Sequence, residues 1–597
     1  MGGVIMAKFA DKCRSNPFKL TDKEDELLRR LRSTLQPANC DSKGRPNVHC
    51  SYDLHIGVFF DGTNNNKYFD TQSKSHSNVA RLYDVFPGQG ATTGTRATRY
   101  VNEYNRYETR VTSQDYPKRY HEKMPANIHK YFRKIYVPGV GTPFPDVGDA
   151  NTRKIFPFIG QNTAGEAFGA YGAERIFWAM AQVLSLAMET CGEGSLPASV
   201  IQSIAKECGG QILSGESGIR NMFQLYLTPH LPRMQNTRKP NIRNIKLYIF
   251  GFSRGAAAAR SFASRINYML QGLKIGFRLE LSFLGIFDTV ASVGLARSGG
   301  GDGHYDWARP KFMSPSVRKC VHLVSAHEIR GSFPLTSAKG ITNTEEIAYP
   351  GVHSDVGGGY SPFEQGKSTE ANGDIGKLSQ IPLADMYRKA LLSGVPFLLP
   401  SEWKSNQSVN EVMAVSKQLI ISFNHYYTAT YNKNWNTQNN IKHIINYHYS
   451  YYVLWHKARY GELAAKLGDK INNENNKTAI RDYNDIVDAE KGLKYELKFL
   501  QEYKETRIRS PYSLSNTVIR IPKRPALKNE MTSTRTEYAM REKYQQWEKV
   551  LKNLWNGAPL SDSKTIAFFD DYVHDSRAWF RIESPEAWGY LRLRHVY

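Results

Sequence analysis

A serine between two glycines is the strongest candidate for chemistry in this sequence of 597 residues. The pentapeptide 251–255, Gly-Phe-Ser-Arg-Gly, follows a nearly all-apolar run and precedes four alanines. This order predicts a buried strand that turns sharply into a closely packed helix, with Ser253 at the turn. Glycines suit the flanking positions because so tight a reversal strains the backbone and leaves no room for Cβ atoms beside the nucleophile. The chemistry indicated is attack by the Ser253 hydroxyl on an electrophilic carbon.

A serine hydroxyl is a weak nucleophile at neutral pH and needs a general base, which a third group orients. Two further buried strands are predicted at 279–287 and 346–352, and they end at Asp288 and His353. Serine, acid and histidine in this order, each at the carboxyl end of a core strand, are typical of alpha/beta-hydrolases. We therefore predict that His353 takes the proton of Ser253 and that Asp288 orients the imidazole.

Donors for a developing oxyanion are expected from two loops. The backbone N–H of Arg254 directly follows the nucleophile. The second donor is predicted at Gly62 and Thr63, in a turn-forming run after the predicted strand 55–60. The serine mechanism needs no cofactor, and none is expected.

Other residues compete for these roles. His574, in the tetrapeptide Val-His-Asp-Ser, is an alternative base. The alternative acids are Asp302, Asp306 and Asp355. Three aspartates at strand ends also suggest an oxygen-rich Mg²⁺ or Ca²⁺ site, namely Asp61, Asp288 and Asp355. A catalytic metal is not expected, while a structural one stays open.

The elements that must position these residues follow an alternating pattern. Buried strands and helices in succession predict an α/β fold with a mostly parallel, doubly wound sheet flanked by helices. The predicted division of the chain is an N-terminal appendage at 1–50, a catalytic domain at 51–400 and an additional, mainly helical region at 401–597.

The C-terminal region is dense in tyrosine, tryptophan and lysine and has more than one interpretation. Apolar residues that recur at spacings of four and three predict an amphipathic basic helix through Met540, Tyr544, Trp547, Leu551 and Leu554. Its apolar stripe could face the protein core, or it could lie at the surface of an anionic bilayer. A third interpretation is a lid over the site.

Charge and cysteine content limit the class of protein. Lys and Arg outnumber Asp and Glu by 79 to 56, a net charge of +23, which favours an anionic partner. No nucleic-acid recognition motif is present, and nucleic acid is not expected as a partner. The six cysteines have no regular spacing and predict free thiols, with a bridge between Cys191 and Cys208 as the alternative. Neither a Sec signal nor a membrane-spanning segment is predicted.

Four segments in this order resemble the signature blocks of one family: HIGVFFDGTNNN, LYIFGFSRGAAAAR, FLGIFDTVASVG and EEIAYPGVHSDVGGGY. The chain is similar over about 51–360 to the alpha/beta-hydrolases that include the phospholipase effectors of bacterial type VI secretion systems. The resemblance implies an antibacterial phospholipase A with its serine at Ser253, its acid at Asp288 and its histidine at His353.

The resemblance also implies partners and a route. They are a phospholipid membrane surface, a secretion spike protein and a cognate immunity protein, with synthesis in the bacterial cytoplasm, transfer by the type VI machine without a Sec signal, and action in the periplasm of the target cell. Two other functions stay open from the residues. One is a soluble serine esterase or thioesterase on small acyl esters, and the other is a noncatalytic basic binding module.

Overall fold

The fold is described from a computed structural model of the chain. It describes sixteen ranges: 6–33, 51–71, 73–91, 96–101, 107–112, 131–149, 171–210, 215–235, 241–292, 306–369, 373–403, 407–436, 439–471, 477–508, 549–578 and 590–597. The predicted amphipathic helix through Met540 falls mostly outside these ranges, and its described end, Leu551–Trp555, is a single π-helical turn.

Ten strands are present in the described residues. They are β1 Met6–Phe9, β2 Ser51–Phe60, β3 Gln89–Gly90, β4 Arg96–Val101, β5 Tyr107–Thr112, β6 Phe132–Val137, β7 Asn241–Phe252, β8 Arg278–Phe287, β9 Cys320–Ser325 and β10 Thr344–Tyr349. Eight of them form one sheet in the order β1-β10-β9-β8-β7-β2-β6-β3. Every neighbouring pair in it is parallel, and β4 and β5 form a separate antiparallel pair.

The α-helices of the described residues occupy both faces of the sheet and the C-terminal region. They are α1 Asp22–Ser33, α2 Lys67–Asp70, α3 Asn78–Val85, α4 Gly172–Thr190, α5 Ala198–Ser203, α6 Gly215–Leu227, α7 Leu231–Gln235, α8 Arg254–Met269, α9 His353–Gly357, α10 Gln380–Leu392, α11 Pro400–Trp403, α12 Gln407–Val412, α13 Lys417–Thr430, α14 Lys433–Asn436, α15 Ile441–Ala458, α16 Leu463–Ile471, α17 Lys477–Ile508 and α18 Ser563–Tyr572. The predicted α/β fold with a helical C-terminal region is confirmed.

Alternate residues of the central strands reach two different cores, because successive side chains of a strand point to opposite faces. In β2, Ile56 and Val58 join the core under α4 and α8, whereas Phe59 joins the core under α3 and α10. A sheet covered on both faces needs apolar side chains on both, which explains the apolar runs 56–60 of β2 and 247–252 of β7.

The N-terminal segment enters the sheet, although the sequence indicates an appendage at 1–50. Residues Met6–Phe9 pair in parallel with β10 as an edge strand. The Phe9 ring stacks on His448 of α15 with ring centroids 3.5 Å apart. A strand of four residues is too short to carry a periodic signal, so the sequence pattern could not reveal it.

The aromatic residues of the C-terminal region divide between core and surface. Tyr426 and Trp455 are fully buried in the core that also contains α3 and α10, whereas Tyr431 and Tyr460 are exposed. Among the described residues, none of the helices combines the length and apolar character needed to cross a membrane. Cys191 and Cys208 are free thiols.

Candidate active site

The predicted turn from strand to helix is present at Ser253. Strand β7 ends at Phe252 and α8 begins at Arg254, so one residue joins the two elements. Ser253 has φ 60° and ψ −127°, a backbone conformation that residues other than glycine rarely adopt. The residue is only 3% exposed. A Cβ added at Gly255 would lie 2.2 Å from the carbonyl oxygen of Asp61. The glycine therefore lets the start of α8 approach the end of β2.

Asp288 follows β8 directly, beside the elbow. Its backbone N–H donates to the carbonyl of Leu323 at 2.7 Å, and its φ of 40° is also left-handed. The next residue, Thr289, donates its N–H to His322 Nε2 at 3.1 Å. The other ring nitrogen of His322 is bonded to Glu346 at 2.8 Å. A buried polar chain thus holds the turn that carries Asp288.

The carboxylate of Asp288 is fully engaged by protein donors. His353 Nδ1 lies 2.5 Å from Oδ2, and the Ser325 N–H donates to Oδ1 at 2.9 Å. The guanidinium of Arg594 contacts both carboxylate oxygens. Burial alone would raise the pKa of Asp288, but the Arg594 charge and the His353 hydrogen bond outweigh burial and hold this pKa well below its ordinary value. The carboxylate is ionised at neutral pH.

His353 is the first residue of α9 and is held from several sides. Its backbone N–H donates to Glu328 Oε2 at 3.2 Å. Its ring packs against Phe252 and Phe333, with centroids 4.6 and 4.9 Å away. Burial lowers the pKa of His353 below its ordinary value, although the Asp288 carboxylate partly opposes this. The ring is therefore neutral at neutral pH and, with Nδ1–H on Asp288, its Nε2 can accept a proton.

Phe252, the residue that precedes Ser253, packs on the imidazole of His353 with ring centroids 4.6 Å apart. Among the residues that the structure describes, no hydrogen bond joins the Ser253 hydroxyl to the imidazole. Such bonds are often long in the absence of substrate and tighten in the complex.

The loop after β2 lies beside the first turn of α8. Arg254 links the two, because its guanidinium donates to Thr63 Oγ1 at 3.2 Å and to the carbonyl of Ser292 at 3.0 Å. The Gly62 N–H donates to Asp61 Oδ1 at 2.8 Å. Of the two predicted loop donors, the Gly62 amide is thus already used within the loop. This leaves the Thr63 amide as the better candidate beside that of Arg254.

The carboxylate of Asp61 holds this loop in place through hydrogen bonds. It accepts from the hydroxyls of Ser77 and Tyr136, each at 2.5 Å. Burial raises the pKa of Asp61, and these hydrogen bonds oppose the rise. The bonds fix the loop at the carboxyl end of β2, which is where open α/β sheets bind ligands.

The competing histidine belongs to a second pair. His574 Nδ1 lies 2.6 Å from Asp355 Oδ1, its backbone N–H donates to the same carboxylate at 3.1 Å, and its ring stacks on Tyr360. Asp355 also accepts the N–H of Val352, directly before His353. The structure therefore joins Asp288 to His353 and Asp355 to His574.

The remaining predicted alternatives lie elsewhere. Asp306 begins a short 3₁₀ turn, Asp306–Ala308, and Asp302 lies outside the described residues. Asp61, Asp288 and Asp355 each have their own protein donors. Within the described part of the chain, no group of three His, Cys, Asp or Glu side chains is arranged to hold a metal ion.

Sequence reasoning missed three residues that support the site. Glu328 holds the backbone of His353, His322 holds the turn after Asp288, and Arg594 holds the carboxylate of Asp288. Glu328 comes three residues after the end of β9, Cys320–Ser325, so its place after an apolar strand is a signal that the sequence carries. Arg594 lies 306 residues from Asp288 and had no local signal.

The fold defines the class of protein. The sheet is parallel, helices cover both of its faces, and a sharp elbow follows a central strand, which is the arrangement of an alpha/beta-hydrolase fold. A crystal structure of an uncharacterized protein from Pseudomonas aeruginosa has this fold. It is 24% identical, the match covers 100% of this chain and 85% of that chain, and the TM-score is 0.66.

A family model matches part of the sequence. Residues 275–389 match the model of the T6SS phospholipase effector Tle1-like catalytic domain, which confirms the predicted resemblance to type VI phospholipase effectors. A structure of the Tle1 effector bound to the VgrG spike of the type VI secretion system is 22% identical over 52% of each chain, with a TM-score of 0.25, too low to bear on the fold. No curated protein is significantly similar to this chain.

Proposed function

We propose that this chain is an antibacterial phospholipase A that hydrolyses acyl esters of membrane glycerophospholipids through a Ser253, His353 and Asp288 mechanism. The family match over 275–389 supports a phospholipase effector of the type VI secretion system. The observation that carries the catalytic assignment is the buried hydrogen bond of 2.5 Å between Asp288 and His353 beside the strained elbow. That bond presents the second imidazole nitrogen as a base.

In the first half-reaction, Ser253 Oγ attacks the carbonyl carbon of an acyl ester while its proton passes to His353 Nε2. The imidazolium that forms is stabilised by the Asp288 carboxylate. When the tetrahedral intermediate collapses, the ester C–O bond breaks and the lysophospholipid alkoxide takes the proton from Nε2. Water, activated by the same imidazole, then hydrolyses the acyl-serine and releases the fatty acid.

The oxyanion of the intermediate is stabilised by the backbone N–H of Arg254, with the second donor on the loop that carries Thr63. The Arg254 guanidinium supports this geometry because it bonds the Thr63 hydroxyl at 3.2 Å and so ties the two loops together. Each such donor contributes about 3 kcal/mol to transition-state stabilisation in enzymes of this kind.

The resemblance to type VI phospholipase effectors supports a proposal about partners and location. We propose that a secretion spike protein carries the effector out of the producing cell, that it acts on phospholipid membranes from the periplasm of the target cell, and that a cognate immunity protein blocks it. The net charge of +23 suits an anionic membrane surface. Exposed Tyr431 and Trp435 on the helical region are candidates for contact with that surface.

Replacement of the proposed nucleophile is the decisive test. Ser253→Ala should abolish fatty-acid release from phospholipid vesicles, because no other atom can form the acyl intermediate. Ser264→Ala is a matched control on the same helix, where the hydroxyl donates to the carbonyl of Phe312 at 2.8 Å and not to the site. Undiminished release by Ser253→Ala would remove this serine from the mechanism. If the wild-type chain hydrolyses short-chain soluble esters but not vesicle phospholipids, the alternative function as a small-ester esterase is favoured instead.

The two histidine pairs give a second test. His353→Ala should abolish turnover, whereas His574→Ala should leave much of it, since His574 pairs with Asp355 at 2.6 Å and not with Asp288. The reverse pattern would reassign the base to His574. Circular dichroism of both variants checks that each keeps its fold.

A further inference from the structure

The last residues of the chain run beside the site. The Leu335 N–H donates to the carbonyl of His595 at 2.8 Å, and the Tyr597 N–H returns a bond to the Leu335 carbonyl at 2.9 Å. Ser337 extends the pairing, donating its N–H to the Tyr597 carbonyl at 2.9 Å. This strand-like contact delivers the side chain of Arg594 to Asp288.

Arg594 binds the acid in the bidentate geometry for which a guanidinium is suited. Its Nη1 lies 2.8 Å from Asp288 Oδ1 and its Nη2 2.8 Å from Oδ2. Two further donors are held as well, with Nε on the Phe333 carbonyl at 2.9 Å and Nη1 on Ser325 Oγ at 2.8 Å. The side chain is 1% exposed, so water does not compete for these bonds.

We propose that Arg594 is a positioning residue of the hydrolytic site, which orients the Asp288 carboxylate toward His353 and sets the proton affinity of the imidazole. This inference rests on the proposed roles of Ser253, Asp288 and His353.

The orienting effect follows from the shared oxygen. Asp288 Oδ2 accepts from both His353 Nδ1 and Arg594 Nη2, so rotation of the carboxylate away from this position would break the fork and the bond to His353 together. The guanidinium is in turn fixed by the Phe333 carbonyl. The imidazole is therefore oriented by a carboxylate that is itself held in place. A displacement of 1 Å in a group of this kind can lower the rate about 100-fold.

The electrostatic effect follows from the charges around His353. Its imidazole bonds Asp288 and its backbone N–H bonds Glu328. Each of these carboxylates is paired with an arginine, Asp288 with Arg594 and Glu328 with Arg330. Arg594 compensates the charge of Asp288 and so weakens its attraction for a protonated imidazole. Without this arginine, Asp288 would attract the proton more strongly and the pKa of His353 would rise.

Two substitutions separate charge from geometry. Arg594→Met should lower kcat about 100-fold with little change in KM, and it should move the acid limb of the kcat/KM profile to higher pH. Arg594→Lys keeps the charge but not the planar fork, so kcat should fall by less and the acid limb should stay near that of the wild type. Arg592→Met is the matched control, because Arg592 is in the same segment and donates to the Ile329 carbonyl at 3.0 Å.

Rates are measured on the purified full-length chain, with a soluble nitrophenyl ester, phospholipid vesicles and a fluorophosphonate that labels activated serines. The inference is wrong if Arg594→Lys has the wild-type kcat, or if Arg594→Met and Arg592→Met lose activity equally with an unmoved acid limb. Should Arg594→Met not fold, the kcat and pH profile of Arg594→Lys decide. A wild-type chain that neither hydrolyses the substrates nor reacts with the fluorophosphonate would overturn the proposed function itself.

Discussion

Gly255→Ala tests whether the close packing of α8 on the end of β2 is needed for stability and for catalysis. The added Cβ would lie 2.2 Å from the carbonyl oxygen of Asp61 and 2.5 Å from that of Phe60. Both neighbours are backbone atoms at the end of β2, so no side chain can rotate away to relieve the overlap. The first turn of α8 must separate from the loop that carries Thr63.

The size of the effect can be worked from this overlap. Ordinary contact with a Cβ begins near 3.4 Å, so the helix start has to retreat by roughly 1 Å. Overpacking of this kind costs about 1–3 kcal/mol of unfolding free energy. The Arg254 and Thr63 amides, proposed to act on the same oxyanion, would move apart by a similar distance, which predicts a loss of about 100-fold in kcat.

The assay pairs urea unfolding with ester hydrolysis. Gly492→Ala in α17 is the control, since no atom lies within 4 Å of its added Cβ, and it should raise stability by about 0.5–1 kcal/mol. A Gly255→Ala chain with wild-type rate and stability would refute the close packing of α8 on the end of β2. Lost stability with an unchanged rate would refute the link between that packing and catalysis.

Two more predictions concern the backbone strain at Ser253 and the stability of the fold at acidic pH. Ser253→Gly should unfold at a higher urea concentration than Ser253→Ala, because only glycine adopts the φ of 60° without strain. The difference in unfolding free energy should be about 1–3 kcal/mol. Equal urea midpoints would contradict the strain at this position. Burial lowers the pKa of three histidines, to about 3 for His55 and His327 and about 4 for His456, from 6.5. Since the unfolded chain binds the proton more readily, stability falls as pH drops below 6.5, by about 2 kcal/mol per histidine at pH 5. Equal unfolding free energies at pH 7 and pH 5 would refute this.

The central sheet could be predicted from the sequence because its signals are local. Strands β7 and β8 contain apolar runs, 247–252 and 283–287, that lead into the glycine elbow and into Asp288, and the structure has both turns where the pattern indicates them. The length of the runs separates them from helices, and parallel strands are read this way because both of their faces are buried.

The support of the site could not be predicted in the same way. Arg594 and His574 come from the C-terminal part of the chain and reach the loops around Asp288 and His353 through tertiary packing alone. Their partners lie 306 and 219 residues away in sequence, and no spacing rule operates over such distances. A basic residue near the end of a chain with net charge +23 has no feature that distinguishes it from a solvated one.

The proposed nucleophile Ser253 and the proposed acid Asp288 are coupled through the backbone. Ser253 donates its N–H to the Phe287 carbonyl at 3.0 Å and accepts from the Val290 N–H at 3.3 Å, so the two turns around Ser253 and Asp288 hold each other. Both residues have left-handed φ values, a conformation that persists only where the surroundings over-determine it. Because the mutual bonds are between main-chain atoms, a side-chain substitution at Ser253 should leave the turn of Asp288 in place. The backbone strain is thus stored jointly at the ends of two neighbouring strands, where the fold can hold Ser253 and Asp288, the residues proposed to act in catalysis, in fixed positions before any substrate binds.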